Sequence, residues 1–160
     1  MLIVDGPGAV GAIRLALRHA AGFKVVGTID GRSSARSPLL ELSPEVVLVD
    51  DMCQQTNAMA RLREATGLAP DAIVVLLSGR MDSASLDDAL IAGADAVISR
   101  GLHPATLGTL LREIVQGSVI HSPRRSRGEV RARIAANCGK QHSQRLAVVS
   151  HETPEARTIA

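Results

Sequence analysis

Four residues able to share in one reaction stand at the ends of short apolar runs: Asp5, Asp50, Ser78 and Arg100. A carboxylate can act as a nucleophile toward a phosphoryl group. A second carboxylate helps to hold Mg²⁺, which offsets phosphate charge. A hydroxyl and a fixed cation bind phosphoryl oxygens. The set is therefore suited to phosphoryl chemistry, provided that the chain brings the four ends together.

The elements behind them have the length and composition to do so. Pro44-Glu45-Val46-Val47-Leu48-Val49-Asp50-Asp51 holds four consecutive apolar residues, three of them β-branched, and ends in two carboxylates. Such a run is too short for a helix and fits a strand buried on both faces. Leu2-Ile3-Val4, Lys24–Ile29, Ala72–Leu77 and Ala96-Val97-Ile98 are further strands. Between them lie helices. Val10, Ile13 and Leu17 recur at helical spacing before Gly22, and residues 31–43 hold a short or irregular helix. A helix over 56–66 is capped by Thr56 or Asn57 and closed by Gly67. Ser85 with Asp88 forms a capping pair for a helix to Gly93, and Pro104 opens a last helix that stops at Gly117. Five βα repeats predict a parallel sheet with helices on both faces and right-handed crossovers. In such sheets ligands sit outside the carboxyl ends of the strands, where the four polar residues stand.

Composition narrows the function. One Phe is the sole aromatic residue among 160, so base stacking on aromatic side chains is excluded as a binding mode. Net charge is +2, unevenly spread: residues 123–160 hold 8 of the 18 Lys and Arg but 3 of the 16 Asp and Glu. Cys53 and Cys138 lack metal-ligand spacing and fit reduced thiols. The five histidines form no i, i+4 pair. No apolar run reaches membrane-spanning length and no signal-peptide pattern opens the chain, so a cytoplasmic protein without membrane contact is expected.

The segments Leu2–Asp5, Val25-Val26-Gly27, Pro44–Asp50, Val75–Ser78, Ala92–Asp95 and Pro104 with its helix occur in fixed order and spacing. With them residues 1–120 resemble a receiver domain of bacterial two-component response regulators, most like the NarL/FixJ type. The resemblance implies a CheY-like (flavodoxin-like) doubly wound α/β fold with strand order 2-1-3-4-5. It makes Asp50 the phosphoacceptor, gives Ser78 and Arg100 contacts with the phosphoryl group, and puts Asp5, Asp50 and Met52 at the Mg²⁺. It implies a signalling module rather than an enzyme, beyond self-catalysed phosphotransfer to Asp50. A histidine kinase would be the donor, and a homodimer or an output domain the recipient of the signal.

Departures from the family pattern point to a weakened pocket. Gly6 replaces the second acid after the first strand, Arg100 the lysine, and Val97 the aromatic switch residue. Cys53-Gln54 replace Met-Pro, and Ala58 a glycine. Arg keeps the charge but is a planar fork instead of a compact point charge. Mg²⁺ demands near-octahedral oxygen coordination, so a lost carboxylate weakens its site. Asp51 is not expected to compensate, because successive strand side chains point to opposite faces. A standing Arg100–Asp50 or Arg100–Asp5 ion pair would hold the pocket in one state without phosphate.

Gly6-Pro7-Gly8-Ala9-Val10-Gly11 also matches G-x-G-x-x-G, with Asp30 ending the next strand. That pattern is the alternative: a dinucleotide- or nucleotide-binding unit with pyrophosphate at the helix N-terminus. Asp5 would repel such a phosphate, and the residues after 43 fit the receiver pattern better. Residues 121–160 are expected to be a basic linker or tail, solvated, with a weak helix over 129–136. Thr153-Pro154-Glu155-Ala156-Arg157 has a loose likeness to the opening of a helix-turn-helix output domain. No recognition helix is present, so direct DNA binding by these residues is not expected.

Overall fold

The computed structural model describes residues 1–4, 7–19, 23–51, 55–118 and 144–146. Strands and helices alternate: β1 (Leu2–Val4), α1 (Pro7–His19), β2 (Phe23–Val25), β3 (Thr28–Asp30), α2 (Arg36–Leu42) and β4 (Val46–Asp50). There follow α3 (Gln55–Leu68), β5 (Ile73–Ser78), α4 (Ser83–Ala92), β6 (Ala96–Ser99), α5 (Pro104–Val115) and β7 (Gln144–Leu146). Every strand pair is parallel. Pairing runs β3-β1-β4-β5-β6 through the body of the sheet. With β3 as the second strand, these five follow the expected order 2-1-3-4-5, but the sheet has seven strands instead of five, because β2 and β7 join it beside β4.

Side-chain parity along the strands builds two cores. Leu2, Val4, Val46, Leu48, Val75, Leu77 and Ile98 pack under Val10, Ile13 and Leu17 of α1 and Leu107, Leu111 and Ile114 of α5. Ile3, Val47, Val49, Val74, Leu76 and Val97 face Leu39 of α2, Met59 and Leu62 of α3, and Ala89 of α4. β4 is buried along its whole length, as a central strand of an α/β sheet must be. The aliphatic composition is thus spent on two thin layers, one on each face.

Several boundaries differ from the expectations. The second strand is two pieces, β2 and β3, with Val26 and Gly27 between them. α3 starts at Gln55, ahead of Thr56 and Asn57, and continues through Gly67 to Leu68. α4 is capped by Asp82, whose carboxylate accepts from the Ser85 main-chain N–H at 2.9 Å. Ser85 is therefore the partner of the cap and not the cap itself. Gly93 does end α4, with φ of 108° and its N–H turned back onto the Ala89 and Leu90 carbonyls.

The largest departure is β7. Gln144–Leu146, within the stretch expected to be a solvated tail, pair with Phe23–Val25 and meet β4 at Val46. β1 is three residues long and pairs with β4 only at Ile3–Val49, so β7 takes the edge of β4 nearer its start. The rest of 119–160, including 129–136 and 153–157, lies outside the described residues.

Candidate functional site

β4, β5 and β6 end side by side, because their registers pair Asp50 with Leu77 and Ser78 with Ser99. The fold therefore brings Asp50, Ser78 and Arg100 together, as their sequence positions predict. Asp50 is 1% exposed, the last residue of the most buried strand. Arg100 follows β6, and its main-chain N–H donates to the Ser78 carbonyl at 2.7 Å, which ties the two strand ends together. Its guanidinium turns back across the sheet end, with Nε 3.5 Å from Asp50 Oδ1. Of the two ion pairs that the sequence left open for Arg100, the one with Asp50 is present, and Asp5 lies outside the described residues.

Asp51 shares the Arg100 cation with Asp50, although successive strand side chains alternate in direction. Its N–H still bonds to the Leu77 carbonyl at 2.9 Å, but β4 has ended and its side chain lies over the tip of the sheet. Arg100 Nη1 stands 3.2 Å from Asp51 Oδ1. Asp51 Oδ2 accepts from the Gly79 main-chain N–H and lies 3.3 Å from Ser78 Oγ. Strict alternation separates side chains across a sheet. At a strand end a long planar fork can bridge both sides, and here it contacts Asp50 and Asp51 together.

Ser78 has one hydroxyl proton for two neighbours, Asp51 Oδ2 and the Arg80 carbonyl at 2.8 Å. Its oxygen accepts from the Arg80 N–H at 3.0 Å. The turn Ser78-Gly79-Arg80 is thereby fixed by its own hydroxyl. A cleft of about 270 Å³ opens here, lined by Asp51, Ser78, Gly79, Arg80 and Arg100 over the apolar floor of Met59 and Leu76. Ahead of α4, Asp82 holds its carboxyl below the usual range, chiefly through the Ser85 N–H, then the Ser85 hydroxyl, with Arg80 adding to it.

No family model matches the chain. The chemotaxis protein CheY of Thermotoga maritima is 24% identical over 114 residues, which span 71% of this chain and 95% of that protein. A response regulator from Thermotoga maritima has a crystal structure similar to this one, with TM-score 0.60 and 21% identity over 72% of this chain and 95% of that one. The isolated REC domain of RcsB from Salmonella enterica serovar Typhimurium, in the presence of the phosphomimetic BeF3⁻, gives a TM-score of 0.63 at 18% identity. It covers 83% of this chain and 95% of that one. The fold is that of a CheY-like receiver.

The two further positions expected at the metal, Asp5 and Met52, lie outside the described residues. The described donors do not by themselves fit Mg²⁺. They offer Asp50 and Asp51, and one guanidinium lies against both carboxylates. No group of three or more His, Cys, Asp or Glu suited to a metal occurs among the described residues. Nor is any described helix long and apolar enough to cross a membrane.

The G-x-G-x-x-G reading fails at its third glycine. That position serves close packing of the helix on the strand. Gly11 instead lies exposed in the second turn of α1, and a Cβ built on it meets nothing within 4 Å. The residues at this strand end that the sequence did not point to are Asp51, in contact with Arg100, and the Gly79 amide, which donates to it. The Asp50-Asp51 doublet was the available signal for the first; a main-chain donor leaves none.

Proposed function

We propose that the chain is a response-regulator receiver module of the NarL/FixJ type in bacterial two-component signalling, with Asp50 as phosphoacceptor. One observation carries this reading: a buried carboxylate at the tip of the central strand, faced by the Arg100 guanidinium. An acyl phosphate on Asp50 would form by attack of its carboxylate oxygen on phosphorus, with the donor's leaving group departing. Arg100 and Ser78 stand where they can bind the phosphoryl oxygens.

The donor is a histidine kinase, and the output is control of transcription through a homodimer or an attached output domain in the cytoplasm. DNA is not bound directly by this chain. Gly6, Arg100 and Val97 in place of the family's acid, lysine and aromatic residue make the pocket a weakened one, with Mg²⁺ held loosely or not at all. Intact mass after incubation with acetyl phosphate, with and without Mg²⁺, tests the reading. Wild type gains one phosphoryl group and Asp50→Ala does not. An equal gain in both, or no gain in wild type and in Asp51→Ala alike, rejects Asp50 as the acceptor.

A further inference from the structure

Three donors at the sheet end converge on one anion, and that anion belongs to the chain. The Gly79 N–H donates to Asp51 Oδ2, Ser78 Oγ lies 3.3 Å from the same oxygen, and Arg100 Nη1 donates to Asp51 Oδ1 at 3.2 Å. A Cβ built on Gly79 would stand 3.3 Å from Oδ2, so the carboxylate is seated directly on the turn. A main-chain amide, a hydroxyl and a guanidinium form a donor set for oxyanions in general, and nothing in it selects a carboxylate over a phosphate. The same guanidinium reaches Asp50 Oδ1 at 3.5 Å. Any phosphoryl oxygens carried by Asp50 would need the donors that Asp51 already holds.

We propose that Ser78, the Gly79 amide and Arg100 form an oxyanion site whose resident ligand is the Asp51 carboxylate, and that Asp51 thereby excludes phosphate-class anions. The second half rests on Asp50 being the acceptor; the first does not. Asp51 is the residue that sets whether the pocket admits a phosphoryl group. Its carboxylate holds Arg100 and the Ser78-Gly79-Arg80 turn in an anion-bound arrangement without phosphorylation. A phosphoryl group and the Asp51 carboxylate are like charges competing for the same donors, so Asp51 must yield them before a phosphoryl group can bind there.

The test uses the full chain and inorganic phosphate, without Mg²⁺ or a phosphodonor, and follows the Gly79 amide by ¹H–¹⁵N NMR. Asp51→Ala and the near-isosteric Asp51→Asn should each bind phosphate about tenfold or more tighter than wild type, seen as a saturable shift of Gly79. Adding Arg100→Ala to Asp51→Ala should abolish that gain. Equal responses in wild type and the folded Asp51 variants, or a gain that survives loss of Arg100, overturn the proposal. A parallel arm with acetyl phosphate separates it from the acceptor reading. Phosphate binding gained without any Asp50-dependent mass increase supports the oxyanion site and rejects the acceptor. Equal mass gain in wild type and Asp51→Ala supports the acceptor and overturns exclusion by Asp51.

Discussion

A Cβ built on Gly93 would run into the Thr66 hydroxyl of α3, at the turn that ends α4. Thr66 uses that hydroxyl to bond the Gly93 carbonyl at 3.2 Å. The residue also holds φ of 108°, a backbone state that side chains with a Cβ rarely adopt. Two independent requirements therefore keep glycine here: the left-handed turn that leads into β6, and the space taken by Thr66.

Gly93→Ala is expected to cost roughly 2–3 kcal/mol, from backbone strain and displacement of Thr66. Urea unfolding of the full chain measures it. In a Thr66→Ala background the same change should cost less, because the clash is gone while the strain remains. Equal costs in both backgrounds would show that Thr66 is not a constraint.

Gly11 gives the opposite expectation. It is exposed in the body of α1 with open space where a Cβ would go. Gly11→Ala should stabilise by about 0.5–1 kcal/mol, through helix propensity alone. A loss of stability would mean that this glycine packs against something, which is what a dinucleotide-binding turn would require.

These two glycines mark what could be read from the sequence. The strands were legible because β4 and β5 are unbroken aliphatic runs ended by polar residues, and parity then assigns Val47 and Leu48 to opposite cores. Asp50, Ser78 and Arg100 were legible for the same reason: each lies at or just past the end of such a run. Helix starts were less so. Ser85 and Asp82 both have capping side chains, and only the N–H geometry decides between them. The contact of Asp51 with Arg100 was not legible, because alternation is a rule for residues inside a strand and β4 stops one residue earlier. β7 gave no signal, since three residues paired through their main chains need no apolar run.

Asp82 makes stability depend on pH in a defined direction. Its pKa is lowered in the folded protein, first by the Ser85 N–H, so folding favours the ionised carboxylate. That contribution is present above the ordinary carboxylate pKa and fades as pH falls through the lowered folded value. Asp82→Ala should lower the Tm at neutral pH by removing the cap. The gap between variant and wild type should shrink steadily below about pH 4. Thermal melts across that range check it, and a gap independent of pH would contradict a role for the ionised cap.

Arg100 carries the last expectation. Its fork meets Asp50 through Nε at 3.5 Å and Asp51 through Nη1 at 3.2 Å. Removing one partner of a fully buried pair costs about 3–5 kcal/mol, but exposed pairs contribute far less. Asp50 is 1% exposed and the Arg100 side chain 38%, so Arg100→Ala should fall between, at roughly 1–3 kcal/mol. Arg100→Lys should recover only part of it, because a point charge cannot address two carboxylates as a planar fork does. If the cost arises at Asp50, it should shrink in an Asp50→Asn background, with a coupling of about 0.5–3 kcal/mol in the double-mutant cycle. Additive effects would place the contribution of Arg100 at Asp51 instead.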